Sequence, residues 1–148
     1  MQGVQGVNII WVFDPTATKV LMCKRQKPPY LGLYNLVGGK IEPGEEGLTA
    51  AYRELAEETG ITDISLTHIF DLTSHIPQNP FRLEVYIGRL GEDTPLSGDE
   101  KELVWFDVTE NFFDLTRFAS DGKIGYVFQE IKRYGLGGYQ ELETMENN

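Results

Sequence analysis

The sequence contains one cysteine, few basic residues and no long apolar run. Because Cys23 is the only cysteine, an internal disulfide and a zinc site built from several cysteines are both excluded. The longest apolar run, Ile9 to Phe13, is far too short to cross a bilayer. No basic segment followed by a long apolar core opens the chain, so we expect no signal peptide. Together these features predict a protein of a reducing compartment, the cytoplasm.

Basic residues are also outnumbered by acidic ones. The chain has 13 Lys and Arg against 23 Asp and Glu, a formal net charge of -10. Neither a nucleic acid polymer nor an anionic membrane is therefore an expected partner. An anionic substrate would need a local positive element, for which a bound metal ion is one candidate. The two histidines, His68 and His75, lack the spacing of metal ligands, and we find no Ser-His-Asp pattern.

The length and the order of elements predict one α/β domain. A chain of 148 residues suits a single domain over residues 1–148, with a mobile tail from about residue 140. Segments rich in β-branched and aromatic residues predict strands at 7–13, 19–25, 64–73, 81–90 and 103–108. Helices are predicted at 45–59 and 123–134. We therefore expect a mixed sheet with helices packed against it.

The first predicted helix carries three clustered acidic residues. Its apolar stripe, at steps of three and four, consists of Leu48, Ala51, Tyr52, Leu55 and Thr59. Glu45 and Glu46 suit the first turn and Gly60 suits the C-terminal cap. Glu54, Glu57 and Glu58 are expected to flank the stripe without belonging to it. Like charges at this spacing cost a few tenths of a kcal/mol, and the negative helix end adds roughly 0.3–1 kcal/mol for each acid.

A bound cation would turn this repulsion into attraction. Hard divalent cations such as Mg²⁺ take carboxylate oxygens as ligands and retain water and phosphate oxygens. Just before the helix, Gly38 and Gly39 allow a close backbone approach, with amides free to meet an anion, and Lys40 adds positive charge. The pattern indicates a phosphate-chemistry site. The alternative interpretation is an acidic face that is simply solvated.

The same residues resemble a known family signature. Gly39, Glu45 and the run from Arg53 to Ile61 match the Nudix box at every defined position. The resemblance implies a Nudix-like α/β/α sandwich, with a mixed β-sheet between helices. It also implies Mg²⁺-dependent hydrolysis of a diphosphate bond in a nucleoside diphosphate linked to a group X, with Mn²⁺ able to substitute.

Roles for individual residues follow from this resemblance. Glu54, Glu57 and Glu58 match the metal-binding glutamates, and Glu54 or Glu57 is the candidate that helps to deprotonate water. Arg53 matches the arginine that orients these acids, and Glu45 matches a supporting glutamate outside the metal ligands. The turn of Gly38, Gly39 and Lys40 matches the loop that approaches metal and phosphate.

A distant acid is expected to complete the metal site. In the oxidised-purine triphosphatases of this family, a glutamate stands five residues before a tryptophan-phenylalanine pair. Glu100 and Trp105-Phe106 reproduce this spacing, so Glu100 is the candidate ligand. The alternative is an ordinary acid in a polar loop.

Two further positions resemble the base-reading residues of the same enzymes. Asn35, after Tyr34, is a candidate to hydrogen-bond a base edge, and Asp121, if protonated or suitably paired, is a candidate to discriminate an altered purine. The structural alternatives are a turn residue and a helix cap. The tryptophan expected before the aspartate is absent, with Phe118 nearby.

The leading functional hypothesis is hydrolysis of a purine nucleoside triphosphate, oxidised or not, to monophosphate and pyrophosphate. One alternative is a nucleotide-sugar or dinucleotide-polyphosphate hydrolase. Another is a Nudix-shaped module that binds a nucleotide without cleaving it, although such modules typically lose box acids and none is missing here. The expected partner is a small nucleotide, and the expected state is a monomer or a homodimer.

Overall fold

The computed structural model describes residues 4–78, 80–97 and 102–134. The six strands are β1 (Gly6–Phe13), β2 (Lys19–Lys24), β3 (Tyr34–Leu36), β4 (Thr67–Ser74), β5 (Phe81–Arg89) and β6 (Leu103–Asp107). The two helices are α1 (Gly47–Thr59) and α2 (Lys123–Tyr134), and a 3₁₀ turn at Ser120–Gly122 precedes α2. Glu100 and the tail from about residue 140 lie outside the described residues.

The strands form one mixed sheet. Their order is β3-β2-β1-β5-β4, and β6 also pairs with β2. Strands β1 and β5 are parallel, from Gly6 opposite Arg82 to Phe13 opposite Arg89, whereas the other strand pairs are antiparallel. The mixed sheet expected from the sequence is confirmed.

Alternate residues of β1 pack against different helices. Ile10 and Val12 belong to a buried cluster with Leu55 of α1, whereas Trp11 and Phe13 belong to a cluster with Phe128 of α2. Because successive side chains of a strand point to opposite faces, a strand that is apolar at every position needs a partner on both. The sheet therefore lies between the helices, which confirms the predicted sandwich.

The boundaries of α1 differ from the prediction at its start only. The helix begins at Gly47, and Glu46 is its N-cap without a side-chain capping bond, so the assignment of Glu45 and Glu46 to the first turn is wrong. The C-terminal cap at Gly60 is confirmed by a left-handed φ of 78° and a bond from its N–H to the carbonyl of Ala56. Across the described residues, no helix combines the length and apolar character that a membrane crossing requires.

Two strand boundaries depend on contacts that are remote in sequence. Strand β4 begins at Thr67 rather than at residue 64, because the N–H of Leu66 donates to the hydroxyl of Tyr52 on α1 at 2.9 Å instead of to a neighbouring strand. Strand β3 was not predicted as a strand at Tyr34, where the chain pairs with Lys24 of β2. Isolated bridges from Val37 to Ile10 and from Lys40 to Val7 then place the turn after β3 beside β1.

Candidate active site

The glycine turn that follows β3 is attached to β1 by two hydrogen bonds. The backbone N–H of Asn8 donates to the carbonyl of Gly39 at 2.8 Å, and the N–H of Gly39 donates to Oδ1 of Asn8 at 3.0 Å. The N–H of Gly38 donates to Oε1 of Glu58 on α1 at 3.2 Å. The expectation that these two amides are free is therefore wrong, because the protein itself supplies their acceptors.

Both glycines are required by the closeness of their neighbours. A Cβ on Gly38 would lie 2.2 Å from the carbonyl oxygen of Asn8, and Gly38 also has a φ of 148°. A Cβ on Gly39 would lie 2.6 Å from the carboxyl carbon of Glu54. The turn therefore presses directly against two of the predicted metal-binding glutamates: Glu58 through Gly38 and Glu54 through Gly39.

Arg53 connects the acids of the box. Its Nε and Nη2 bind both carboxylate oxygens of Glu45, at 2.8 and 2.9 Å. Its Nη1 reaches Glu54 at 3.1 Å and Glu57 at 3.5 Å, and Nη2 also donates to the carbonyl of Lys40 at 3.2 Å. The hydrogen bonds from Arg53 lower the pKa of Glu45 to about 2, and the carboxylates raise the pKa of Arg53 further. This two-pronged contact with Glu45 fixes the plane of the guanidinium.

The three glutamates of α1 occupy different environments. The side chain of Glu57 is 60% exposed and that of Glu54 is 15% exposed, whereas Glu58 as a residue is only 4% exposed. The prediction that all three flank the buried stripe is therefore wrong for Glu58. Its burial follows from its contact with Gly38, since the turn covers that part of the helix.

The donor set of the box fits a hard divalent cation, although the described residues contain no preformed cluster. Among the described residues, no three His, Cys, Asp or Glu side chains converge as ready metal ligands. Glu54 and Glu58 nevertheless both reach the two-residue glycine turn, and Glu57 joins Glu54 through Arg53. All of these groups offer oxygen, which suits Mg²⁺ or Mn²⁺. The backbone carbonyl of Gly39 retains a second lone pair beside its bond to Asn8.

A cavity of about 300 Å³ opens beside the turn, and several cationic side chains form part of its wall. Gly38, Gly39 and Glu58 line it on the side of the acids. The cationic residues that line it are Lys24, Arg25 and Lys27. Within the described part of the chain, neither lysine forms an ion pair. Sequence reasoning missed all three, although the basic residues at the end of β2 and just after it are a visible signal in a chain with a net charge of -10.

A second cavity of about 300 Å³ has mainly apolar walls. It shares Val7, Ile9 and Asn35 with the first cavity, and Tyr30 and Phe81 are among its other lining residues. Oδ1 of Asn35 accepts a bond from the N–H of Leu36 at 2.8 Å. Asn35 therefore stands where the polar and the apolar cavities meet.

Asp121 lies near this apolar cavity but is engaged with a tyrosine. Its Oδ2 accepts a 2.5 Å hydrogen bond from the hydroxyl of Tyr30, and this bond raises the pKa of Tyr30. The neighbouring Ser120 lines the cavity. Tyr30, Ser120 and Asp121 all have positive φ values, so the two segments meet in uncommon backbone conformations. A base-reading role for Asp121 stays a prediction.

The chain matches the family model of the NUDIX domain over residues 4–125. An oxidized purine nucleoside triphosphate hydrolase from Danio rerio is 33% identical over 104 residues, which cover 69% of this chain and 65% of that protein. An ADP-ribose pyrophosphatase from Methanocaldococcus jannaschii is 33% identical over 97 residues, which cover 61% of this chain and 55% of that protein. The chain thus spans less than two thirds of the length of either relative.

A solved structure shares the fold. The NUDIX domain of Shewanella oneidensis NrtR, in complex with ADP ribose, superposes with a TM-score of 0.66 at 18% identity, covering 88% of this chain and 89% of that one. This likeness concerns the fold alone. Since the family model spans most of the chain and its signature residues meet around one glycine turn, the protein belongs to the NUDIX domain family.

Proposed function

We propose that this protein hydrolyses a diphosphate bond in a nucleoside diphosphate derivative with the help of a divalent cation. The observation that carries the proposal is the first cavity, which is lined both by Glu58 with the glycine turn and by Lys24 and Lys27. Acidic oxygens suited to a cation and ammonium groups suited to phosphate oxygens share one space. The net negative charge of the chain makes this local cation group the feature that attracts an anion.

The side chains have separate proposed tasks. Glu54, Glu57 and Glu58, with Gly39, would hold Mg²⁺. When bound, the cation neutralises the bridging phosphates and lowers the pKa of coordinated water. Arg53 orients Glu54 and Glu57 through its Nη1 contacts, and one of these two carboxylates accepts a proton from the attacking water.

In the proposed step, the water oxygen bonds to phosphorus and one P–O bond of the anhydride breaks. The leaving phosphate departs with the bridging oxygen. Lys24, Arg25 and Lys27 hold the phosphate oxygens, and Lys40 adds positive charge at the turn. Glu45 supports Arg53, and Glu100 remains the proposed distant acid of the site.

For the substrate we favour a purine nucleoside triphosphate, oxidised or not, that yields monophosphate and pyrophosphate. Two observations support this choice. The apolar cavity adjoins the cationic one and is large enough for a flat base, with Tyr30 and Phe81 in its walls and the amide of Asn35 at the junction. A relative from Danio rerio is named for oxidized purine nucleoside triphosphates. Asp121 would then act on the base side, through or beside Tyr30.

A second candidate substrate class is the nucleotide sugars, with ADP-ribose as its example. The relative from Methanocaldococcus jannaschii is named an ADP-ribose pyrophosphatase, and the NrtR domain was solved with ADP ribose. Dinucleotide polyphosphates belong to the same group of alternatives. In each case the bond that breaks is a phosphoanhydride, so the proposed roles of the glutamates are unchanged.

The test is a substrate panel followed by one matched pair of variants. Purified protein is incubated with Mg²⁺ and with oxidised and ordinary purine triphosphates, ADP-ribose and a dinucleotide polyphosphate, and released phosphate or pyrophosphate is measured. Glu57→Gln should lower kcat at least about 100-fold while the fold and nucleotide binding persist. Glu92→Gln, an exposed acid in the loop after β5, should leave kcat unchanged.

Two results would contradict the proposal. If folded wild-type protein hydrolyses nothing in the panel but binds a nucleotide, the non-catalytic module is the better account. If Glu57→Gln retains full turnover, the box glutamates do not perform the reaction.

A further inference from the structure

Asn8 is a fully buried polar residue at the start of the central strand. It is 0% exposed, and its Oδ1 is committed to the N–H of Gly39. Its Nδ2 has no hydrogen-bond acceptor among the described residues. A buried donor without a partner is destabilising, so an amide at this position does not maximise stability. Its presence calls for a reason other than packing.

The geometry of the turn supplies that reason. Asn8 bonds Gly39 twice, once through its backbone N–H and once through its side-chain oxygen. An apolar side chain on β1 could keep the first bond but not the second. The second bond needs a side chain whose acceptor reaches the N–H of Gly39, as Oδ1 of Asn8 does. Gly38 also packs so closely on the backbone carbonyl of Asn8 that a Cβ there would collide with it.

The turn in turn sets the position of two glutamates. Gly39 lies against the carboxylate of Glu54, and Gly38 donates to Glu58. Asn8, Gly38, Gly39 and Glu58 line the same cavity. A shift of the turn by a fraction of an ångström would therefore displace both carboxylates. A misplacement of about 1 Å can cost about 100-fold in rate.

We infer that Asn8 is a positioning residue, which fixes the glycine turn and through it Glu54 and Glu58. The inference rests on the proposed hydrolytic function for its kinetic test but not for its structural one. The other buried orphan donor, Nε1 of Trp11, differs because Trp11 stacks on Phe128 and packs edge-on against Phe112 inside the core. No comparable turn depends on it within the described residues.

The experiment compares Asn8→Ala with Asn8→Asp. The aspartate keeps the shape and an acceptor for the N–H of Gly39, whereas the alanine removes the acceptor. We expect kcat to fall at least about tenfold in Asn8→Ala with little change in KM, and Asn8→Asp to recover part of this loss. Asn111→Ala removes a side-chain amide whose oxygen accepts from the N–H of Phe113 in an exposed loop, and it should leave kcat unchanged.

Amide hydrogen exchange supplies a readout that does not depend on turnover. In the wild type and in Asn8→Asp, the N–H of Gly39 should exchange as slowly as the amides of β1. In Asn8→Ala it should exchange much faster, even when the melting temperature of this variant equals that of the wild type. The Kd for Mn²⁺ should rise in Asn8→Ala by a factor similar to the one by which kcat falls. If alanine prevents folding, Asn8→Ser takes its place.

Three results would overturn the inference. One is a wild-type Gly39 amide that exchanges freely. Another is an Asn8→Ala protein that keeps kcat within twofold although Gly39 has lost protection. The third is an Asn8→Asp protein whose Gly39 amide exchanges as fast as in Asn8→Ala while its kcat equals that of the wild type. If the wild type is inactive on every substrate, the proposed function fails, and the exchange and Mn²⁺ measurements still decide the role of Asn8.

Discussion

At the scale of single residues, Arg53 organises the acidic side of the site. Its guanidinium carries the planar contact with Glu45 and the two longer contacts with Glu54 and Glu57. The positive charge of Arg53, held between these carboxylates, offsets part of their mutual repulsion, which the spacing in the sequence already predicts. Glu45 lies outside the helix and binds Nε and Nη2 of Arg53, whereas the two α1 acids bind Nη1.

The pair of Glu45 and Arg53 predicts a specific pH dependence of stability. The pKa of Glu45 is about 2 in the folded protein, below its ordinary value of 4.5, because of its hydrogen bonds with Arg53. A lowered pKa means that the stabilisation is complete above pH 4.5 and is lost as the pH falls from about 4.5 towards 2. Glu45→Gln should therefore unfold more easily at pH 7, and its difference from the wild type should shrink across that window.

Urea unfolding at pH 7, 4 and 3 measures this difference. Glu46→Gln is the matched control, since Glu46 neighbours Glu45 and makes no side-chain capping bond. A difference between wild type and Glu45→Gln that stays constant from pH 7 to pH 3 would show that the ion pair does not stabilise the fold.

At the scale of elements, the sequence predicted the helices and strands that show a periodic pattern of apolar residues. It did not predict the features that depend on contacts between segments distant in sequence. The stripe on α1 predicted the helix, and the β-branched and aromatic residues of β1 predicted the strand, whereas the sandwich was expected from the family resemblance. The burial of Glu58 could not be read from the helix, because the covering Gly38 comes from a turn twenty residues earlier. Asn8 carries no sequence signal at all, since its role depends on the register between β1 and the turn.

A contact between two loops predicts an effect on substrate binding. The bond from Tyr30 to Asp121 joins the segment after β2 to the 3₁₀ turn before α2, on the border of the apolar cavity. Tyr30→Phe removes this bond but keeps the ring. We expect KM to rise about fivefold, the loss of roughly 1 kcal/mol, with kcat unchanged.

Steady-state kinetics on the best substrate of the panel test this expectation. Tyr34→Phe is the control, because it removes a comparable bond from Tyr34 to Glu102 while its ring stays packed on Phe106. Equal effects of the two variants on KM would mean that the apolar cavity does not receive the base.

At the scale of the whole molecule, the charge is strongly uneven. The chain has a net charge of -10, yet Lys24, Arg25 and Lys27 gather at one cavity. The net negative charge of the protein repels a nucleotide polyphosphate. Binding at the first cavity therefore requires that the attraction by its three cationic side chains exceed this repulsion. Salt weakens both effects, and the Debye length falls from about 30 Å at 0.01 M to about 8 Å at 0.15 M.

This balance predicts the effects of two lysine substitutions. Lys24→Ala and Lys27→Ala should each raise KM about fivefold at low salt, and the factor should diminish as the ionic strength increases. Lys132→Ala, on α2 with its ammonium over the ring of Phe128, should change neither KM nor its salt dependence. The measurement is KM across a salt series at constant Mg²⁺. A salt-independent factor for Lys24→Ala would argue against a direct phosphate contact.

Strand β1 serves both cavities with adjacent side chains. Val7 and Ile9 border the apolar space, and Asn8 between them holds the glycine turn. Under the proposed function, exchanges at Val7 and Ile9 offer natural variation a route to a new base preference without replacing any glutamate of the box, although both residues also line the first cavity. Inserting or deleting one residue in this strand would instead swap the two roles and abolish recognition and chemistry together.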